Sequence, residues 1–432
     1  MIAAAPPRQT RIDRDRWYVL AVLMLVYTLN IADRFVVSTL IEPIKAEFHL
    51  SDGAVGLLTG AAMAVFYVAA GIPLGLLADR YSRKRMIVVS LTIWSALTAL
   101  CGMTHSFWQL LVARIGVGIG EAGGTPPCQS LLADKFPPRA RGFALTLFAL
   151  GAALGAGLGS SLGGYLSDHH GWRMVLIVFG ALGLPVALLV GLTVREPRRG
   201  QLDDIPPAAD VSLSATIAFV RRQPALLHVL TGATVVTFWG WGLVWWTPAF
   251  LIRSHGMSVQ QSGELLGWMH VIGGAAVTLG TAWVMKLLEA RDPRWQTRFV
   301  AIATILPTFP SILAYVTTSP IVAAAAMWLF VPMIYLYIGP TLALATNLVP
   351  ATMRSQTCAF IVFSANVANL LIAPLAIGAF SDLLGPHLAD PAQSLRWVLV
   401  GTSLTGFWAA WHYWAAARHL SGDLEHAGTG QG

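Results

Sequence analysis

Long apolar stretches recur along this chain with almost no charge inside them, and that recurrence constrains the fold more than any other feature. A helix needs roughly 20 mostly apolar residues to cross a bilayer, and only helices and closed barrels satisfy every backbone polar group there. Along the 432 residues this predicts spans over 17–41, 53–78, 86–104, 107–134, 140–166 and 173–194. Six more follow over 224–252, 260–288, 298–317, 320–348, 353–383 and 394–417. Between the two sets lies a polar stretch, 195–222, with Arg195, Arg198, Arg199, Asp203 and Asp204. Composition agrees: 56% of residues are hydrophobic, 11% are charged and the mean hydropathy is +0.64, against about 25% charge in a soluble domain. The first run continues into Asn30, Asp33 and Arg34 without a small-residue cleavage pattern, so it is expected to remain as a helix.

The net charge of +7 does not point to nucleic acid, because the basic residues sit in short loops between the apolar runs. Counted by loop, 22 Lys and Arg fall on the side of both termini, the 2–3 loop and the central linker. Four, Lys45, Arg173, Arg253 and Arg396, fall on the other side, and Arg34 and Arg114 lie within spans. The positive-inside rule then predicts a multi-pass inner (plasma) membrane protein with both termini and the linker cytoplasmic. The alternation also requires an even number of spans.

The two sets of six resemble one another. Gly163-Gly-Tyr-Leu-Ser-Asp168 matches Ile377-Gly-Ala-Phe-Ser-Asp382 at an offset of 214 residues, close to half the chain. Pro138 with Arg141 matches Pro350 with Arg354, and Trp172-Arg173 and Arg396-Trp397 each open the next span. An internal repeat of this kind is the mark of a duplicated transporter. The expected fold is therefore all-α, with twelve transmembrane helices in two six-helix pseudo-symmetric bundles. Residues 1–194 form the N-terminal bundle, 195–222 a cytoplasmic linker, 223–418 the C-terminal bundle and 419–432 a tail.

Four ionisable residues lie inside spans of the first half: Asp33 and Arg34 in helix 1, Arg114 and Glu121 in helix 4. Such residues are costly in a bilayer and are functional candidates by default. Arg114 and Glu121 are two turns apart, ~10 Å along the axis, so pairing across helices is expected instead, Asp33 with Arg114 or Arg34 with Glu121. Burial favours the protonated form of a carboxyl and a nearby arginine the charged form, so Asp33 and Glu121 are candidates to carry a proton. Arg34 and Arg114 are candidates to meet an anionic group and to tune those acids. Glu42 and Glu47, near the far end of helix 1, are expected to be solvated, and Glu264 to sit at the far-side mouth. The second half has almost no buried charge but many aromatics, among them Trp239, Trp241, Trp245, Trp246, Phe330, Tyr335 and Tyr337. Trp239, Trp246 and Tyr335 are candidates for an apolar cavity wall, and Asn366 and Asn369 for its polar points, with Asn30 opposite.

The 2–3 loop, Gly75-Leu-Leu-Ala-Asp79-Arg80-Tyr-Ser-Arg83-Lys84-Arg85, resembles the G-x-x-x-D-R-x-G-R-[RK] loop of the major facilitator superfamily, with Ser82 where the family usually has Gly. The resemblance implies that Gly75, Asp79, Arg80 and Arg83 form a cytoplasmic latch of the outward-facing state. Gly151, Gly155 and Gly159 in helix 5 share one helix face and suit close packing, as in that family's helix-5 glycine motif. Within the superfamily the chain resembles the Spinster family of lysolipid and sphingolipid transporters. The likeness lies in Asn30-Ile-Ala-Asp33-Arg34, in Gly118-Ile-Gly-Glu121-Ala122 and in Trp246-Thr-Pro-Ala-Phe250-Leu-Ile-Arg253. It extends to Pro374, Gly378, Ser381, Asp382, Ser394 and Arg396, so it is nearly full length. It implies a proton-coupled secondary transporter of an amphiphilic lysolipid or sphingolipid-like substrate working by alternating access, Asp33 and Glu121 being the protonation pair. The organic anion–proton symporters share the helix 1 and helix 4 residues, so a symporter of small organic anions such as sugar acids is the alternative.

Other classes find no support. There is no H-E-x-x-H, and G-x-S-x-G occurs only as Gly159-Ser-Ser-Leu-Gly163 inside the fifth apolar span, not at a strand-to-helix nucleophile elbow, so an enzyme with a catalytic residue is not expected. No nucleotide-binding loop is present, which leaves the proton gradient as the energy source and no cofactor. Cys101, Cys128 and Cys358 lie in apolar runs without a C-x-x-C pair, and His169, His170 and Asp168 read as an exposed loop, so no metal site is expected. The expected partners are a small amphiphilic or anionic substrate and membrane lipids; the protein is expected to be a monomer.

Overall fold

Serines and prolines open the helices where the apolar runs begin. In this computed structural model, which describes residues 8–198, 212–289, 292 and 294–429, the Ser51, Ser82, Ser106 and Ser319 side chains accept from the third backbone N–H of the helices they start. Ser258 forms a full capping box with Gln261. Each cap satisfies a donor that a helix end otherwise leaves bare.

The helices are α1 (Arg8–Thr39), α2 (52–80), α3 (Arg83–Cys101), α4 (107–135), α5 (138–170) and α6 (172–193). The second set is α7 (Pro224–His255), α8 (259–289), α9 (Trp295–Val316), α10 (320–347), α11 (354–384) and α12 (394–429). Among the described residues, nine helices are long and apolar enough to span a bilayer. The count falls below twelve for local reasons. α5 and α6 run together as Pro138–Thr193, bent only at Gly171, whose φ of 79° suits glycine. α4 breaks at Gly123 and Gly124 into Phe107–Ala122 and Thr125–Lys135, and α12 is divided at Leu404, its longer piece Thr405–Thr429 being too polar to count, with Arg418, Asp423 and Glu425. α12 then stays helical to Thr429, through most of the stretch expected as a tail. Linker residues 199–211 lie outside the described residues, and a helix, Leu213–Arg221, occupies the linker's end.

Several helices depart from α geometry near their middles. α2, α8 and α11 carry π segments over Leu57–Ala61, Met269–Gly274 and Val367–Ile372, and α10 tightens to a 3-10 segment over Val331–Tyr335. Such segments redirect side chains and recur at functional positions.

Two apolar cores result, one built from α1–α6 and one centred on α7–α12. The face that carries the linker is called here the linker face, and the opposite one the far face. Hydrogen bonds between the halves gather at the far face, where Ser38 donates to the Trp245 carbonyl at 2.6 Å and Arg253 spans to Asp52 at 2.8 Å and to Glu42 at 2.6 Å. Glu42 is therefore not the solvated residue the sequence suggested; it is four-fifths buried against Arg253 across the interface. Glu47 is closer to expectation, 43% exposed and paired with Arg173, whose guanidinium holds its carboxyl below the usual glutamate range. Glu264 is exposed and accepts from Gln260.

Candidate transport site

The α5 glycine face brings α1 to its place. A Cβ at Gly151, Gly155 or Gly159 would press on the backbone carbonyls of Met24, Thr28 and Ala32. Close backbone approach of this kind is the membrane equivalent of apolar packing. It turns the next stretch of α1, Asn30 to Phe35, toward the interior of the bundle.

There all four intramembrane charges meet. Arg114 Nη1 donates to Asp33 Oδ2 at 2.8 Å, and Arg34 contacts Glu121 Oε2 through Nε at 2.8 Å and Nη2 at 2.7 Å. Both pairs expected across helices 1 and 4 form, and two acids balance two bases. Glu121, Arg114 and Asp33 are 0%, 1% and 3% exposed. Burial of this depth is tolerable only because each charge is paired and hydrogen-bonded. Further partners come from neutral residues. Thr98 of α3 donates to Asp33 Oδ1 at 2.7 Å, and Tyr67 of α2 lies under the Arg34 guanidinium, 4.9 Å from its ring centroid. Met63 Sδ lies 3.5 Å from Arg114 Nη2. The cluster is still incomplete: Glu121 Oε1, Arg114 Nε and Asn30 Nδ2 are buried without a hydrogen-bond partner. Glu121 stands in the last turn before the Gly123–Gly124 break of α4.

The candidates of the second half lie apart from this cluster. Trp239 and Trp246 are 1% and 0% exposed and belong to the packed core, Trp246 against Gly378 and Trp239 against Phe330. Tyr335 lies nearer the interface, its hydroxyl 3.0 Å from His270 Nδ1 and its ring against Trp241. Asn369 accepts from Trp245 Nε1 at 2.6 Å, and Asn366, partly exposed, ends the α segment before the π turn of α11. Phe35 joins the two regions. Adjacent in sequence to Arg34, its ring centroid lies 5.0 Å from that of Trp245 and 4.9 Å from that of His270.

The latch candidates divide. Gly75, Asp79 and Arg80 end α2, but their side chains lie outside the described residues. Arg83 is 2% exposed and binds Asp134, the Ser130 carbonyl at 3.2 Å and hydroxyl at 3.1 Å, and the Pro197 carbonyl at 3.1 Å. Its backbone N–H donates to Glu196 Oε1 at 2.7 Å, and the Ser82 hydroxyl donates to the same carboxylate. Ser82, the residue that departs from the family loop, thus caps α3 and docks the start of the linker. Partial burial raises the Glu196 carboxyl, but the Ser82 and Arg83 hydrogen bonds outweigh it and hold the group below its ordinary value.

Sequence reasoning missed Thr98, Tyr67, Phe35, His270 and Glu196. The first three are neutral residues in apolar runs and give no signal alone. A lone histidine within the eighth apolar run was visible, as was a glutamate next to a loop of arginines.

Comparison with known proteins agrees with this architecture. The family model described as Major Facilitator Superfamily matches residues 23–373. An MFS-type efflux pump of Mycolicibacterium smegmatis is 32% identical, the match covering 96% of each chain. Human protein spinster homolog 1 is 30% identical over 95% of this chain and 82% of its own length. Among solved structures, an inward-facing, unoccupied bacterial homologue of the human lysosomal transporter Spinster superposes with a TM-score of 0.83 at 28% identity, covering 97% of this chain and 99% of that one. A D-xylose–proton symporter, 18% identical at a TM-score of 0.69, shares the fold alone. With two six-helix halves, a multi-pass membrane architecture and these relatives across nearly its whole length, the chain belongs to the Major Facilitator Superfamily and is a Spinster-like transporter.

Proposed function

We propose that the protein is a proton-coupled secondary transporter that moves an amphiphile with an anionic or zwitterionic head, of the lysolipid or sphingolipid-like class, by alternating access. The observation that carries this reading is the buried four-charge cluster with one bare carboxylate oxygen, Glu121 Oε1. A proton at that oxygen would weaken the attraction that holds Arg34, and Arg34 has the most exposed side chain of the four, at 11%. Arg34 would then be released toward an anionic head group, while Arg114 holds Asp33 in register. The aromatic, uncharged second half supplies a wall suited to an acyl chain rather than to a sugar acid, which would want polar partners on both sides. The excess of basic residues at the linker face supports a plasma-membrane orientation with both termini cytoplasmic. The proton gradient supplies the energy, and one chain suffices as the working unit.

Proton-driven uptake in inside-out and right-side-out vesicles tests the coupling. Asp33→Asn and Glu121→Gln should abolish accumulation while leaving substrate binding measurable. Wild-type accumulation in both variants would sink the proton role. A thermal-shift screen of lysophospholipids against small organic acids tests the substrate class; stabilisation by sugar acids alone would overturn the lipid reading.

A further inference from the structure

The repeated Gly-x-x-x-Asp element, Gly164 to Asp168 and Gly378 to Asp382, plays no part in the charged cluster, yet it occupies equivalent places at the far face. Asp382, in the last turn of α11, accepts the backbone N–H of Asp52 at 2.9 Å and of Gly53 at 2.7 Å, the first donors of α2. Asp168, in the last turn of α5, accepts the backbone N–H of Gln260 at 3.0 Å, in the first turn of α8. Each aspartate thus caps a helix that opens in the other half. The glycines match as well. A Cβ on Gly378 would lie 2.3 Å from the Asp52 carbonyl oxygen, and one on Gly164 would lie 2.7 Å from that of Val259. The receiving helices repeat at a different offset, 207 residues: Ser51 and Ser258 cap them, and Gly56 and Gly263 press on the carbonyls of Pro374 and Ser160.

An acid in the last turn of a helix is misplaced by local rules, since that end carries the negative pole of the helix dipole. Both aspartates are therefore locally unfavourable and become favourable only opposite a foreign helix N-terminus. We propose that Asp168 and Asp382 are a duplicated far-face gate: two interdomain caps that stabilise the closed far face and must both be released for it to open. The two are unequal. Asp382 holds two N–H groups beside the Asp52–Arg253 pairing, and Asp168 holds one.

The gate rests on the alternating-access reading, and the test separates the two. Spin labels at Met103 and Ile321, 63% and 79% exposed near the far ends of the two halves, report the distance across the far face of the full chain in nanodiscs. The native cysteines are replaced beforehand. Loss of a cap should raise the open-to-closed ratio about 5-fold in Asp168→Ala, about 10-fold in Asp382→Ala and about 50-fold in the double variant. Glu264→Ala, which removes a far-face acid that bonds only within α8, should leave the distances unchanged. Asp382→Asn, which keeps a neutral acceptor, covers the case in which an alanine variant does not fold, and should shift the ratio in the same direction by less. Unchanged distances in both single variants, a response in only one, or an equal response in Glu264→Ala would overturn the gate. A disulfide between Gly53→Cys and Ala379→Cys, where a Cβ on Gly53 would lie 3.7 Å from the Ala379 Cα, asks the separate question. Undiminished transport with the far face locked would sink alternating access and leave the cap measurement standing.

Discussion

The buried centres of the two halves solve the same problem with different chemistry. The first half places four charges among α1–α4, all within hydrogen-bonding distance of a partner. The second half fills its centre with large rings and satisfies their hydroxyls one by one with threonines. Thr237 meets Tyr337 at 2.7 Å, Thr247 meets Tyr315 at 2.8 Å and Thr341 meets Tyr413 at 2.7 Å, each pair joining two helices. Neutral pairs of this kind hold helices together without offering a group that changes charge near neutral pH. Ion pairs hold helices together only while both partners stay charged. The difference teaches where a protonation event can change the structure: in the first half it alters the forces between ion-paired helices, and in the second, among the described residues, it would act on histidines, His270 beside Tyr335 and His228 beside His412 across α7 and α12.

The largest expected effect breaks that comparison at its strongest point. Arg114→Leu leaves Asp33 buried with only the Thr98 hydroxyl, and should destabilise the protein by about 3–5 kcal/mol in chemical or thermal unfolding, while Asp33→Leu combined with Arg114→Leu should recover most of the loss. A single variant as stable as the parent would show that the cluster is hydrated and not a buried ion network. Next comes Thr98→Val, which removes a hydrogen bond to a charged group and should cost about 1.5–3 kcal/mol by the same measurement. In the second half, Tyr315→Phe should cost only about 1 kcal/mol, because Thr247 still donates to the Leu243 carbonyl at 2.8 Å. It should also leave the pH profile of transport unmoved, whereas a changed profile would place proton chemistry in both halves.

Much of this contrast was legible in the sequence, because membrane burial makes charge rare and therefore conspicuous. Asp33, Arg34, Arg114 and Glu121 stood out for that reason, and the two-turn separation of Arg114 from Glu121 was enough to point each of them to helix 1. What was not legible depended on contacts between distant segments. Glu42 looked like a solvated acid because it lies at a helix end on the far side, but Arg253 of α7 gives it a partner; Asp168 is exposed as expected and still caps the N-terminus of α8. Trp239 and Trp246 looked like cavity walls because aromatic content says nothing about which face of a helix a ring occupies. The break in α4 falls at Gly123-Gly124, but a glycine pair does not by itself mark a break: Gly273-Gly274 ends a π segment of α8, and the π segment of α11, Val367–Ile372, has no glycine.

The smallest expected effect sharpens the comparison at the boundary of the first half, where a carboxylate outside the membrane does titrate. Glu196 docks the linker onto Ser82 and Arg83, and its folded carboxyl lies below the ordinary glutamate value of about 4.3. Because the folded value is depressed, the contribution of this contact is complete above the unfolded value and is lost as the pH falls through the folded one. Hydrogen exchange of the Arg83 amide, which donates to Glu196, should therefore stay equally protected from pH 8 down to about 5, after correction for intrinsic rates, and weaken only below about 4. Glu196→Gln should weaken the protection above the acid step and remove the step itself. The far-face acids Asp168 and Asp382 and the membrane cluster remain unchanged in that variant, so transport at neutral pH should fall by no more than about 2-fold, the scale of an exposed ion-pair contact. A full loss of transport in Glu196→Gln would move the functional centre of the first half from the buried charges to the linker latch.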